Sequence, residues 1–214
     1  DKNTTLSANI VTTVKNAVNS ITVGLTFENE FGYMYDLVNG ADFDSISNFK
    51  TYLSDNLMNT DGSSKSGIIT REVLYDLIIE MVDGFEIDGL DISTEVVSCL
   101  TADKADPTVS IIDVLDEIDD LKAEVEGIAN NIPAEADINR TYLANLGAQI
   151  DGLADYSLIL NANAVKSIGD HITDKLYNSL SAEAKSAIQT TYNNKNNYAT
   201  FAALYAAFAD DLGL

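Results

Sequence analysis

Apolar residues in this chain return every third or fourth position almost from end to end, and that spacing limits the fold more than any other feature. Ile111, Val114, Ile118, Leu121, Val125 and Ile128 form one stripe, and Ile138, Tyr142, Leu146, Ile150 and Leu153 form the next. A strand points alternate residues to one face, so a period near 3.6 suits only helices. The chain is therefore expected to be all-α, a multi-helix bundle of about eight or nine helices with short polar loops.

The same spacing divides the remainder. A first helix is expected over 4–23, with Leu6, Ile10, Val14, Val18 and Ile21 on one stripe, Thr4 or Thr5 as its cap and Gly24 as its stop. An aromatic helix follows through Phe27, Phe31, Tyr33, Met34 and Tyr35, and a third starts at Asp44 or Ser45 with Ile46, Phe49, Leu53 and Leu57 inward. The small polar run 59–67 reads as a loop. A fourth helix spans about Thr70–Val82, and a turn-rich connector, 83–91, leads to a short helix capped by Ser93 and ending near Leu100.

In the second half the 111–128 stripe alternates threes and fours like a coiled-coil seam. It pairs with a helix begun by Pro133 into an antiparallel hairpin. Further helices are expected over 156–180, from Ser181 to about Tyr192, and over 198–212. The run Thr101–Pro107 is the best boundary between an N-terminal helical half, 1–100, and a C-terminal bundle half, 107–214, the two forming one continuous body.

Charge removes whole classes of partner. Of 214 residues, 34 are acidic and 12 basic, a net charge of −22. Affinity for nucleic acid comes from Lys and Arg displacing counterions from phosphates, so nucleic acid is excluded as a partner, and an anionic membrane surface is equally unsuited. Cations and basic proteins fit better. No run of about 18 apolar residues is present, so no membrane span is expected. The single cysteine, Cys99, excludes a disulfide framework and a Cys-built metal centre, and it reads as a small buried apolar residue.

Arginine is confined to Arg71 and Arg140, whereas Asn, Thr, Ser and Tyr are plentiful. That balance, with a chain starting at Asp1 rather than Met, points to an extracellular or cell-surface location. Two sequons, at Asn3 and Asn139, matter only in a source that glycosylates.

Chemistry-bearing patterns are few. Asp61-Gly62 followed by Gly67 recurs as Asp83-Gly84 followed by Gly89. In the first copy Asp61, Ser63, Lys65 and Glu72 fall at the first, third, fifth and twelfth places of an EF-hand loop, but lysine occupies a ligand place and glycine stands one place late. The second copy is richer in oxygen donors, and Asp83, Glu86, Asp88, Asp91 and Glu95 are the candidate calcium ligands. Ordinary Asp-Gly turns on an acidic surface are the simpler account of both.

Residues 113–126 hold seven carboxylates against Lys122. They read as a solvated helix face or as a cation-bridged contact with a neighbouring molecule. The one histidine, His171, reads as a partly satisfied helix residue, and no Glu-x-x-His pairing supports a di-iron centre. Nucleotide-binding, zinc-protease and serine-hydrolase motifs do not occur.

Tyr198, Phe201, Tyr205 and Phe208 stripe the last helix. They either complete a core or dock a neighbouring subunit. Together these features predict a non-enzymatic structural or assembly protein, exported or surface-displayed. It would self-associate through aromatic helix faces into a homo-oligomer, need no cofactor, and use calcium if any ion. The alternatives are a helical binding module for calcium, a small apolar ligand or a basic partner protein, and an enzyme of unknown class.

Overall fold

The three-and-four spacing does yield helices. A computed structural model of the protein describes residues 9–11, 13, 46–59, 63, 65, 70–82 and 84–214. It is an all-α multi-helix bundle, with eight α-helices and one two-residue hairpin among those residues. Apart from residues 9–11 and 13, which are helical, the elements expected over 4–23 and 27–38 lie outside the described residues, as do Asp61, Asp83 and the Asn3 sequon.

Two compact units divide the chain. One takes the described residues up to 83 together with Leu100–Asp119, and the other takes Gly84–Cys99 with Asp120–Leu214. The run 101–107 lies inside the first unit. Each unit is thus assembled from two separated stretches of chain.

The first unit holds α1 (Ile46–Asn56) and α2 (Arg71–Met81), the last turn of α3 (Ser93–Lys104), and the first half of α4 (Ile111–Asn130). Phe49, Leu53 and Leu57 are buried, as their spacing predicts, and so are Leu74, Leu77 and Ile78 on α2. Tyr75 is wholly buried as well. Beyond α1 the chain doubles back: the Asn59 N–H donates to the Ser63 carbonyl (2.8 Å) and the Lys65 N–H to that of Leu57 (2.9 Å).

The second unit opens on the hairpin β1 (Glu86–Ile87) and β2 (Leu90–Asp91), with Ile87 opposite Leu90. Asp88 (φ 53°) and Gly89 (φ 80°) are both left-handed. That conformation matches the right-handed twist of paired strands, and Asp-Gly is the dipeptide that adopts it most cheaply. The predicted connector is therefore a true hairpin. Asp91 Oδ1 then accepts the Ser93 N–H (2.9 Å) and Oγ–H (2.6 Å), so the capping oxygen at α3 comes from Asp91, and α3 runs to Lys104, past the expected end at Leu100.

Pro133 does not open the next helix. A 3₁₀ turn, Glu135–Asp137, follows it, and α5 (Arg140–Gly152) starts at Asn139, whose Oδ1 accepts the Tyr142 N–H at 2.9 Å. The later helices are α6 (Ala162–Ser179), α7 (Ala182–Asn193) and α8 (Phe201–Asp211). Asn161, Ser181 and Thr200 cap them in turn, each accepting a first-turn N–H, which satisfies donors the helix leaves orphaned.

Helix α8 seats its start on α5. A Cβ at Gly147 would lie 2.6 Å from the Ala202 Cα, so only glycine permits that approach. One turn later Asp151 accepts the N–H groups of Phe201 (2.9 Å) and Ala202 (3.2 Å). The Phe201 ring in turn occupies the space a side chain at Gly169 of α6 would need. Leu204, Tyr205 and Phe208 continue from this corner into a core shared with Ile150 of α5 and Ile168 and Ile172 of α6.

Candidate functional site

Polar chemistry in the second unit gathers on α6, whose inner face carries Ile168, Ile172 and Leu176 and whose outer face carries Lys166, Asp170, His171, Asp174 and Lys175. Spacing of four sets Lys166, Asp170 and Asp174 in one row and His171 and Lys175 in the next. Each is then met by a residue from elsewhere in the same unit or by its own neighbour.

Asp88, at the hairpin tip, lies between His171 and Lys175. His171 Nε2 is 2.8 Å from Asp88 Oδ2, and Lys175 Nζ pairs with the same oxygen. Burial alone would raise the Asp88 carboxyl, but the hydrogen bonds from Lys175 and His171 outweigh it and hold the group below its usual value. An ionised carboxylate can only accept, which places a proton on Nε2.

A second knot lies one turn on. Asp174 accepts the Tyr192 hydroxyl (2.5 Å) and pairs with Lys195, and these bonds likewise overcome burial and lower its carboxyl. Burial and the Asp174 charge push the Tyr192 hydroxyl the other way, well above its usual range. The Tyr192 ring stacks on Tyr177 at 3.7 Å, and Lys195 Nζ stands 4.4 Å from the Tyr192 centroid.

Next to these knots a cleft of about 430 Å³ opens where the first turns of α6 and α8 converge. Leu160, Val165, Tyr198 and Phe201 supply its apolar surface, and Lys166, Lys195, Asp151 and Asp170 its charges. Lys166 Nζ pairs with Asp170 and also donates to Asn196 Oδ1 (2.6 Å).

The candidate calcium ligands are placed as follows. Asp83 is outside the described residues. Glu86 is exposed opposite Asp91, Asp88 is held by His171 and Lys175, Asp91 caps α3, and Glu95 is half-buried in the first turn of that helix. In the EF-hand-like run, Lys65 Nζ donates to the Asp55 carbonyl (2.6 Å) and Glu72 accepts from Thr70 at the start of α2. Among the described residues no group of three or more His, Cys, Asp or Glu is arranged to hold a metal ion.

Of the aromatic stripe, Tyr205 and Phe208 are wholly buried and belong to the core, so neither is available as the docking face considered for them. Tyr198 and Phe201 are half-buried and line the cleft. Cys99 is half-buried rather than buried. Sequence reasoning passed over Asp151, Lys166 and Lys195. The Lys166/Asp170 pair at i,i+4 was the one local signal, because Asp151 meets its partners fifty residues away.

No helix among the described residues is long and apolar enough to cross a membrane. No protein-family model matches the chain, and no curated protein or solved structure resembles it at a significant level.

Proposed function

We propose that this chain is a non-enzymatic structural or assembly protein, exported or surface-displayed, that self-associates with divalent cations as counter-ions. The observation that carries the reading is where the scarce cationic and imidazole groups go. Arg71, Arg140 and His171 are the whole complement of arginine and histidine, and all three tie backbone or hairpin to a helix. Arg140 binds the Leu214 carbonyl (2.7 Å) and Asp210 (2.8 Å). Side chains spent in this way brace a scaffold and leave little for catalysis.

Among the described residues, self-association through apolar contact has little to draw on. Val11 and Leu214 are the large exposed apolar side chains among the described residues. Exposed carboxylates are plentiful, with Asp113, Asp120 and Glu124 on α4 facing solvent. Two such surfaces repel unless a divalent ion bridges or screens them. Sedimentation velocity with millimolar calcium and with chelator tests this. The expected result is association in calcium that the chelator reverses; a monomer under both conditions overturns it.

A further inference from the structure

We propose that the cleft at the first turns of α6 and α8 binds a small organic acid with an apolar body, its carboxylate or sulfonate held by Lys166 and Lys195. The cleft, at about 430 Å³, falls within the size range of small-molecule sites. Its apolar surface is contiguous in type, two aliphatic side chains (Leu160, Val165) and two aromatic rings (Tyr198, Phe201), which suits a flat or short-chain hydrocarbon portion.

The charges of the wall do not cancel in their effect on a ligand. Asp151 has each carboxylate oxygen on a backbone N–H of α8, and Asp170 is paired with Lys166, so both acids are engaged by protein donors. An ammonium has three N–H donors. Lys166 gives two of them to Asp170 and Asn196, and Lys195 gives one to Asp174, so both retain donor capacity.

Thr200, also in the lining, accepts the Ala203 N–H at its Oγ (3.1 Å) and keeps a hydroxyl proton of its own. The wall thus keeps donor capacity on its two lysines, beside carboxylates that already hold protein partners. Lys195 is also nearly fixed, its side chain 16 % exposed and pinned over Tyr192, so little ordering is left for a ligand to impose. Ammonium donors lining the same cleft as apolar side chains suit an anion with an apolar body, even in a chain of net charge −22.

Two fluorescent probes test it: anilinonaphthalene sulfonate, which carries the acid, and N-phenyl-1-naphthylamine, which does not. The sulfonate is expected to bind saturably at one site per chain. Lys166→Met should weaken it about tenfold while leaving the uncharged dye unchanged, since the loss is of a charge-assisted contact. Val165→Phe should weaken both dyes by filling the cleft. Thermal unfolding and far-ultraviolet circular dichroism of each variant guard against dye uptake by a loosened core. Sulfonate binding that is non-saturable, or indifferent to either substitution, overturns the proposal.

Discussion

Arg71 in the first unit and Asp88 in the second perform comparable tasks with opposite chemistry. Arg71, on the first turn of α2, donates to the carbonyls of Asp103 (2.9 Å), Lys104, Asp106 (2.6 Å) and Val109 (3.1 Å). It thereby closes the end of α3 and the turn that follows. Its guanidinium also lies 4.4 Å from the Tyr75 ring centroid. The last carbonyls of a helix have no partner of their own, and a cation there also faces the negative end of the helix dipole. Asp88 holds its hairpin through charged partners instead. A tie built on carbonyls does not titrate, whereas a tie built on a carboxylate does.

The largest expected effect is from Arg71→Met, which strands four carbonyls at once. A loss of about 3 kcal/mol is expected in urea unfolding, because hydrogen bonds from a charged group are among the stronger ones. Arg71→Lys should recover little of it, since an ammonium cannot span the fork of acceptors that a guanidinium meets. Recovery by lysine to near the parent stability would show that charge alone matters and would erase the contrast between the units.

Next comes Asp88→Asn, which tolerates the left-handed backbone but removes the charge that His171 and Lys175 share. A loss of about 1 kcal/mol is expected at pH 7, the partly exposed Lys175 limiting it. The sign with pH follows from the lowered carboxyls of Asp88 and Asp174. Their contribution is complete above the unfolded aspartate value of about 4 and is lost as pH falls through the folded values. Hydrogen exchange of α6 amides between neutral and acid pH should reveal it, and Asp88→Asn should flatten that dependence. An unchanged acid slope in the variant would remove Asp88 from the account.

The smallest effect sharpens the comparison from the other side. Burial, with the nearby Asp106 charge, raises the Asp103 carboxyl above its usual value. One of its oxygens is buried with no hydrogen-bond partner among the described residues. Here the sign reverses: the group favours the fold below the unfolded value and loses that benefit as pH rises through the folded one. Asp103→Asn is therefore expected to be stabilising at pH 7, by up to about 0.5 kcal/mol in urea unfolding. A destabilisation would mean that the ionised form serves the Arg71 turn.

How much of this was legible in the sequence depends on distance along the chain. The stripe through Ile168, Ile172 and Leu176 and the cap at Ser181 are local patterns, and both appear where the spacing puts them. The hairpin was legible in principle, since Asp88-Gly89 is its usual turn, but strands of two residues leave no alternation to detect. The start of α5 was misplaced because Pro133 suits a first helical turn, while the Asn139 cap further on decided the matter. The cleft was not legible. Asp151 and Phe201 are brought together by the close approach that Gly147 permits, and a glycine within an amphipathic helix carries no mark of its partner.

The parallel pair formed by Tyr177 and Tyr192 has an optical consequence. The chain has ten tyrosines and no tryptophan, so tyrosine transitions carry its near-ultraviolet absorption above the weak phenylalanine bands. Two rings 3.7 Å apart and inclined by 14° couple their transition dipoles far more strongly than isolated chromophores do. The junction of α6 and α7 thus contains a label-free chiroptical reporter, read by near-ultraviolet circular dichroism and erased by changing either ring to leucine.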